Sequence, residues 1–144
     1  MDYFDIQDSV LQKRLVAENA TAFAFLGYQP IVPGHTLVCP KRPVPTWDEL
    51  TGEEIADMFA LRRQIKEVMK QVFAAEGFNY AWNESEIAGQ SVPHVHLHIL
   101  PRKEGDSGIV GYEPRVFLYR PGSRAISPEE ELAEIAARMR SVMG

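Results

Sequence analysis

Cysteine is nearly absent from this chain: Cys39 is the single one in 144 residues. That excludes an intrachain disulfide and any zinc site built on several cysteines. Long apolar runs are missing too, and no stretch approaches the roughly 18 apolar residues of a membrane span. Basic residues are in deficit, 15 against 20 acidic, for a net charge of -5. A general nucleic-acid binder or a protein that coats acidic membranes works through a positive surface, so neither partner is expected. A small phosphate-bearing ligand held in a local site remains compatible with that charge. The first residues, Met1–Ser9, are acidic and lack the apolar core of a secretory signal, which predicts a cytoplasmic address. What is present is the balance of a globular protein, 45% hydrophobic and 24% charged. The length predicts one domain, 1–144, large enough to fold without staples.

The apolar pattern predicts an α+β domain on a mostly antiparallel sheet. Arg14–Glu18, Thr21–Leu26 and His35–Lys41 read as strands, the last one stopped by Pro40. Tyr28–Gly34 carries two prolines and a glycine and reads as a structured loop. Thr51 and Glu54 have capping-box spacing and open one long central helix that ends near Gly77. Phe78–Trp82 and His94–Leu100 read as further strands. Residues 103–122 read as a loop with one short strand at Val116–Tyr119. Ser127 and Pro128 mark the start of a C-terminal helix.

Three of the four histidines fall within five residues, as His94, His96 and His98. On a strand these share one face, and Val95, Leu97 and Ile99 share the other. The apolar face is core. The histidine face admits three readings: zinc ligands with an open water position, nucleophilic and acid–base chemistry on a phosphoryl group, or imidazoles with no task. Imidazole titrates near pH ~6.5, so it serves as a neutral nucleophile in one step and a proton donor in another. The stretch before the run, Ala88-Gly89-Gln90-Ser91-Val92-Pro93, offers neutral hydrogen-bonding groups suited to phosphate oxygens. A zinc site would be expected to bring a carboxylate partner, and neither Glu84 nor Glu86 lies on the strand.

Gly89-Gln90-Ser91-Val92-x-His94-Val95-His96-Leu97-His98-Ile99-Leu100 resembles the signature of the histidine triad (HIT) superfamily. Gln29 to Pro40, about sixty residues upstream, resembles that family as well. The chain is most similar to the fragile histidine triad branch, the dinucleoside polyphosphate hydrolases. Val38-Cys39-Pro40, Pro43-Val44 and Leu100-Pro101-Arg102-Lys103 carry that closer likeness. The resemblance runs from Leu15 to Asp106, is weak over 107–125 and resumes at the last helix.

The resemblance implies a HIT-like fold and hydrolysis of substrates of the diadenosine tri- or tetraphosphate type, with AMP released. It implies His96 as the nucleophile that becomes nucleotidylated. His98 would contact phosphate oxygens, and His94 would be structural, oriented through His35. Gln90 and Ser91, with Gly89 beside them, would sit at the bridging oxygen and leaving group, and Asn83 at the ribose or phosphate. Phe25 and Leu37 fall where members line the purine pocket, and both serve equally well as plain core. Gly27 stands where an asparagine usually helps to bind the ribose. Tyr112 is the candidate for a loop tyrosine near the substrate. No protein-bound metal or cofactor is implied, and any divalent cation would enter with the polyphosphate. A homodimer, with the sheet continued across it, is implied as the assembly. Lys41-Arg42 and Arg102-Lys103 read as solvated surface or as attractors of an anionic substrate. Three other readings stay open: a nucleoside phosphoramidase acting on P–N bonds, a nucleotide-binding sensor with little turnover, and a metal enzyme.

Overall fold

The computed structural model describes residues 3–106 and 126–143. Among the described residues five strands form one antiparallel sheet in the order β1-β2-β3-β5-β4. They are β1 (Leu15–Glu18), β2 (Ala22–Leu26), β3 (Thr36–Pro40), β4 (Gly77–Ala81) and β5 (Leu97–Arg102). Helix α1 (Ser9–Lys13) precedes them, α2 (Gly52–Phe73) connects β3 to β4, and α3 (Glu129–Met143) closes the described chain. The α+β class and the antiparallel sheet agree with the sequence pattern. No helix among the described residues is long and apolar enough to cross a membrane.

The period of two in β2 and β3 divides the molecule into two layers. Ala22, Ala24, Leu26 and Val38 face α2 and α3, where Met58, Leu61, Ile65 and Met139 complete the main core. The small side chains of β2 let the helices approach the sheet closely. Phe23, Phe25, Leu37 and Cys39 point the other way, where Phe4, Ile6 and Leu11 of the N-terminal segment cover them. The second layer holds the site. Burial pushes the Cys39 thiol well above its ordinary pKa, so it acts as a small apolar filler.

The expected capping box is formed: Glu54 N–H donates to Thr51 Oγ1 at 3.1 Å, and Thr51 N–H donates to Glu54 Oε1 at 2.8 Å. Glu54 also takes Arg42 Nη2–H at 2.8 Å, and that hydrogen bond holds its carboxyl at about 2. The two basic pairs carry structural contacts: Lys41 meets Glu18, and Arg102 meets Asp106. Two expected boundaries move. The long helix ends at Phe73 because Ala74 takes the left-handed conformation (φ 55°, ψ 37°) and turns the chain toward β4. The histidine strand begins at Leu97 and not at His94. The β3–β5 pairing stops at Val38↔Leu97. If that register continued, Val95 would face Pro40, which has no N–H to offer; Val95 N–H donates instead to Val44 O at 2.7 Å. The expected strand at Val116–Tyr119 lies outside the described residues.

Candidate active site

Three residues in register cross the inner face of the sheet. Leu37 of β3 faces Phe25 of β2 on one side and His98 of β5 on the other. His96, just before β5, joins His98 at one end of this row, while His94 lies in the bend before them, buried and outside the cavity lining. His96 and His98 have ring centroids 4.8 Å apart. A cavity of about 500 Å³ opens over the row, lined by both rings, His35, Ser91, Leu37 and Phe25, among others.

The hydrogen bonds fix the protons, because a carbonyl only accepts and a main-chain N–H only donates. His96 Nδ1 lies 2.8 Å from the His94 carbonyl. Nδ1 therefore carries the hydrogen, and Nε2 keeps its lone pair. His94 receives Phe4 N–H on Nδ1 at 2.9 Å, and its own Nε2–H donates to Pro40 O at 2.7 Å. Ile31 N–H donates to His35 Nδ1 at 3.1 Å, and His35 Nε2 is 2.9 Å from His98 Nδ1. The relay makes His35 Nε2 the donor and leaves the His98 proton on Nε2. A lone-pair nitrogen on His96 and an N–H on His98 thus stand side by side. His35 orients His98. The expectation that it orients His94 is corrected here, since main-chain groups of Phe4 and Pro40 hold His94.

Burial lowers the pKa of His94, against the bond to Pro40 O that raises it, and lowers that of His96 in the same way. Both rings stay neutral below the usual histidine range. A sign follows for stability. The unfolded chain takes up protons at these two sites below pH ~6.5, and the native chain resists them, so stability is complete above that pH and declines below it. Urea unfolding at pH 7 and pH 5 is expected to show lower stability at pH 5, by at most about 1.4 kcal/mol per pH unit for each histidine. Equal or greater stability at pH 5 would contradict the neutral assignment.

The other candidates fall into three groups. Ser91 is exposed and lines the cavity, as do Gly27, Phe25 and Leu37. A Cβ at Gly27 would meet only ordinary neighbours, His35 O at 3.8 Å and Leu37 Cγ at 4.0 Å. Asn83, Gly89 and Gln90 lie outside the cavity lining. Gln90 receives Ser85 N–H on Oε1 and donates from Nε2 to Pro45 O, both at 2.9 Å, which braces the loop before the histidines. Gly89 closes the short turn Glu86–Ala88 at φ 102°, a conformation that favours glycine. Tyr112 lies outside the described residues. Sequence reasoning missed Phe4, whose ring packs edge-on against His96 with centroids 5.1 Å apart. Among the described residues no three His, Cys, Asp or Glu side chains form a group that could hold a metal ion.

Fold and site define a class: a small α+β domain that sets a lone-pair imidazole beside an imidazole donor in a single cavity. The HIT domain family matches residues 8–105. The chain belongs to the HIT family. A Schizosaccharomyces pombe protein named bis(5'-nucleosyl)-tetraphosphatase is 46% identical over 83 residues, 58% of this chain and 46% of the relative. A Dictyostelium discoideum protein named bis(5'-adenosyl)-triphosphatase is 39% identical over 97 residues, 67% of this chain and 65% of the relative. The chain thus spans between about half and two thirds of the length of these relatives. The crystal structure of Plasmodium falciparum diadenosine triphosphate hydrolase superposes with a TM-score of 0.74 at 26% identity, covering 91% of this chain and 76% of that one. The C. elegans NitFhit structure gives 0.73 at 29% identity, covering 90% of this chain and 27% of that one.

Proposed function

We propose that this chain hydrolyses dinucleoside polyphosphates, of the diadenosine tri- or tetraphosphate type, and releases a nucleoside monophosphate through a nucleotide bound to His96. The observation that carries the reading is the bond from His96 Nδ1–H to the His94 carbonyl, which presents Nε2 as a nucleophile. The names of the S. pombe and D. discoideum relatives and of the P. falciparum structure support the substrate class.

Nε2 attacks the α-phosphorus. The P–Nε2 bond forms as the bond from phosphorus to the bridging oxygen breaks, and the remaining nucleoside polyphosphate leaves with that electron pair. His98 Nε2–H donates to an oxygen of the transferring phosphoryl group as charge builds there. The Ser91 hydroxyl serves the departing oxygen. Water then attacks phosphorus and gives up a proton to the surrounding solvent, the P–Nε2 bond breaks, and its electron pair returns to Nε2 as the lone pair. Splitting the displacement avoids direct attack of water on an anionic anhydride. A divalent cation, where present, arrives on the polyphosphate. The active assembly is a homodimer. Among the described residues β4 is an edge strand, and Tyr80 on it and Trp82 just beyond it are 39% and 49% exposed, which supports pairing of two sheets there.

The test is side-by-side turnover of diadenosine triphosphate, diadenosine tetraphosphate and AMP-lysine, with products separated. Fast AMP release from a dinucleotide is expected. Preference for AMP-lysine would move the chain to P–N hydrolysis. Tight binding with negligible turnover would make it a sensor.

A further inference from the structure

The cavity has a second end that this chemistry leaves unused. His98, Leu37 and Phe25 mark successive strands, and the next strand outward, β1, brings Leu15 opposite Phe25. Arg14 precedes Leu15 and lines the cavity. Its guanidinium lies over the rings of Phe25 and Tyr28, 5.5 and 5.7 Å from their centroids. Nη1 donates to Leu26 O at 2.9 Å. Nε is buried without a hydrogen bond, 3.8 Å from Glu129 Oε1, and Nη2 makes none among the described residues. The side chain is 13% exposed, so most of it has left water. Asp8 lines the same cavity. Its Oδ1 receives the N–H groups of Val10 and Leu11, and its Oδ2 makes no hydrogen bond among the described residues.

The positions fit a nucleotide laid along the row. Three strand spacings of about 4.8 Å separate β5 from β1. A phosphate at His96 and His98 carries the sugar toward Leu37 and the base toward the β2 end of the cavity, where Phe4 and the Arg14 guanidinium pack on Phe25, with the polar edge of the base at the outer end. There it meets Arg14, whose Nη1 is taken by Leu26 O while Nε has no hydrogen bond, and Asp8, whose Oδ1 is taken by the helix cap while Oδ2 accepts none among the described residues. Of these atoms Arg14 Nε is the buried one without a partner, which is costly, so a ligand that draws the guanidinium into hydrogen bonds gains over one that does not.

We propose that Arg14 and Asp8 read the base edge, and that this cavity prefers 6-oxopurines, guanine above all, to adenine. This rests on the nucleotide reading of the site. Guanine presents two acceptors, O6 and N7, to an arginine fork. Its N1–H and 2-amino group are donors for a carboxylate. Adenine turns an amino donor toward the guanidinium and has no N–H at N1 to offer Asp8.

The test is calorimetric binding of GMP, IMP, 7-deaza-GMP and AMP to the unmodified chain. GMP is expected to bind about tenfold more tightly than AMP. IMP, which lacks the 2-amino group, should fall between, and 7-deaza-GMP, which lacks N7, should lose affinity. Arg14→Gln should bring the GMP/AMP ratio near unity by weakening GMP. Asp8→Asn keeps a good helix cap and should erase the GMP advantage over IMP. If Arg14→Gln does not fold, the four ligands on the unmodified chain still decide. AMP binding as tightly as GMP would overturn the proposal. So would equal weakening of both nucleotides in Arg14→Gln, which would assign Arg14 to the sugar or phosphate. GMP preference without turnover of any dinucleotide would sink the hydrolase reading and leave this one standing. Turnover without base preference would do the reverse.

Discussion

His96→Asn is expected to lower dinucleotide turnover by at least about 10⁴-fold while nucleotide affinity stays within a few-fold of the parent. Asparagine retains an amide N–H near the position of Nδ1, so the donation to the His94 carbonyl can persist. It has no nitrogen lone pair at the position of Nε2. The ring is 7% exposed and sits among Phe4, His94 and His98, so the smaller side chain leaves the neighbouring relay in place. The direct check is the pairing of steady-state turnover with equilibrium binding of the undegraded dinucleotide. Turnover near the parental value would remove His96 from the nucleophile role. Loss of binding together with turnover would make it a substrate anchor.

Gly34→Ala is expected to destabilise the fold by about 2–4 kcal/mol. Gly34 sits at φ +90°, where an L side chain is strained, and its new Cβ would stand 2.5 Å from a ring carbon of Phe73. Phe73 is the last residue of α2, so the clash falls on the joint between the long helix and the loop that carries His35. Gly34 O also accepts the Thr36 hydroxyl at 2.7 Å. Relief of the clash would therefore shift the chain that aims His35 at His98. Urea unfolding of Gly34→Ala, of Phe73→Ala and of the double variant separates the two causes. The double variant should be more stable than the sum of the single changes implies, because the ring is gone and only the backbone strain remains. A Gly34→Ala protein within about 0.5 kcal/mol of the parent would show that the loop relaxes freely.

Local features of the fold were legible in the sequence, and features that depend on distant main-chain atoms were not. The Thr51–Glu54 capping box is written in four consecutive residues and forms as expected. The end of α2 was not legible, because Ala74 takes a conformation that glycine usually marks, and Gly77 stands three residues further on. The alternation indicated one face for His94, His96 and His98; His96 and His98 share the cavity, and His94 lies in the bend before them, outside its lining. Where the strand starts depends on Pro40, a residue of the opposing strand. The protonation pattern was hidden for the same reason. Its partners are the main-chain groups of Phe4, Ile31, Pro40 and His94, which no residue type announces. Arg42 and Arg102 looked like surface charge until Glu54 and Asp106 were seen beside them. Gln90 looked like a ligand group, and its amide instead braces the loop between Pro45 and Ser85.

The central claim is that His96 Nε2 forms a bond to phosphorus. The most direct measurement is a rapid acid-free quench of the chain during turnover of diadenosine triphosphate, followed by peptide mass spectrometry under alkaline conditions that spare a P–N bond. An AMP adduct is expected on the peptide containing His96, appearing before free AMP and absent from His96→Asn. An adduct on another residue, or steady AMP release with no adduct at any time, would contradict the claim.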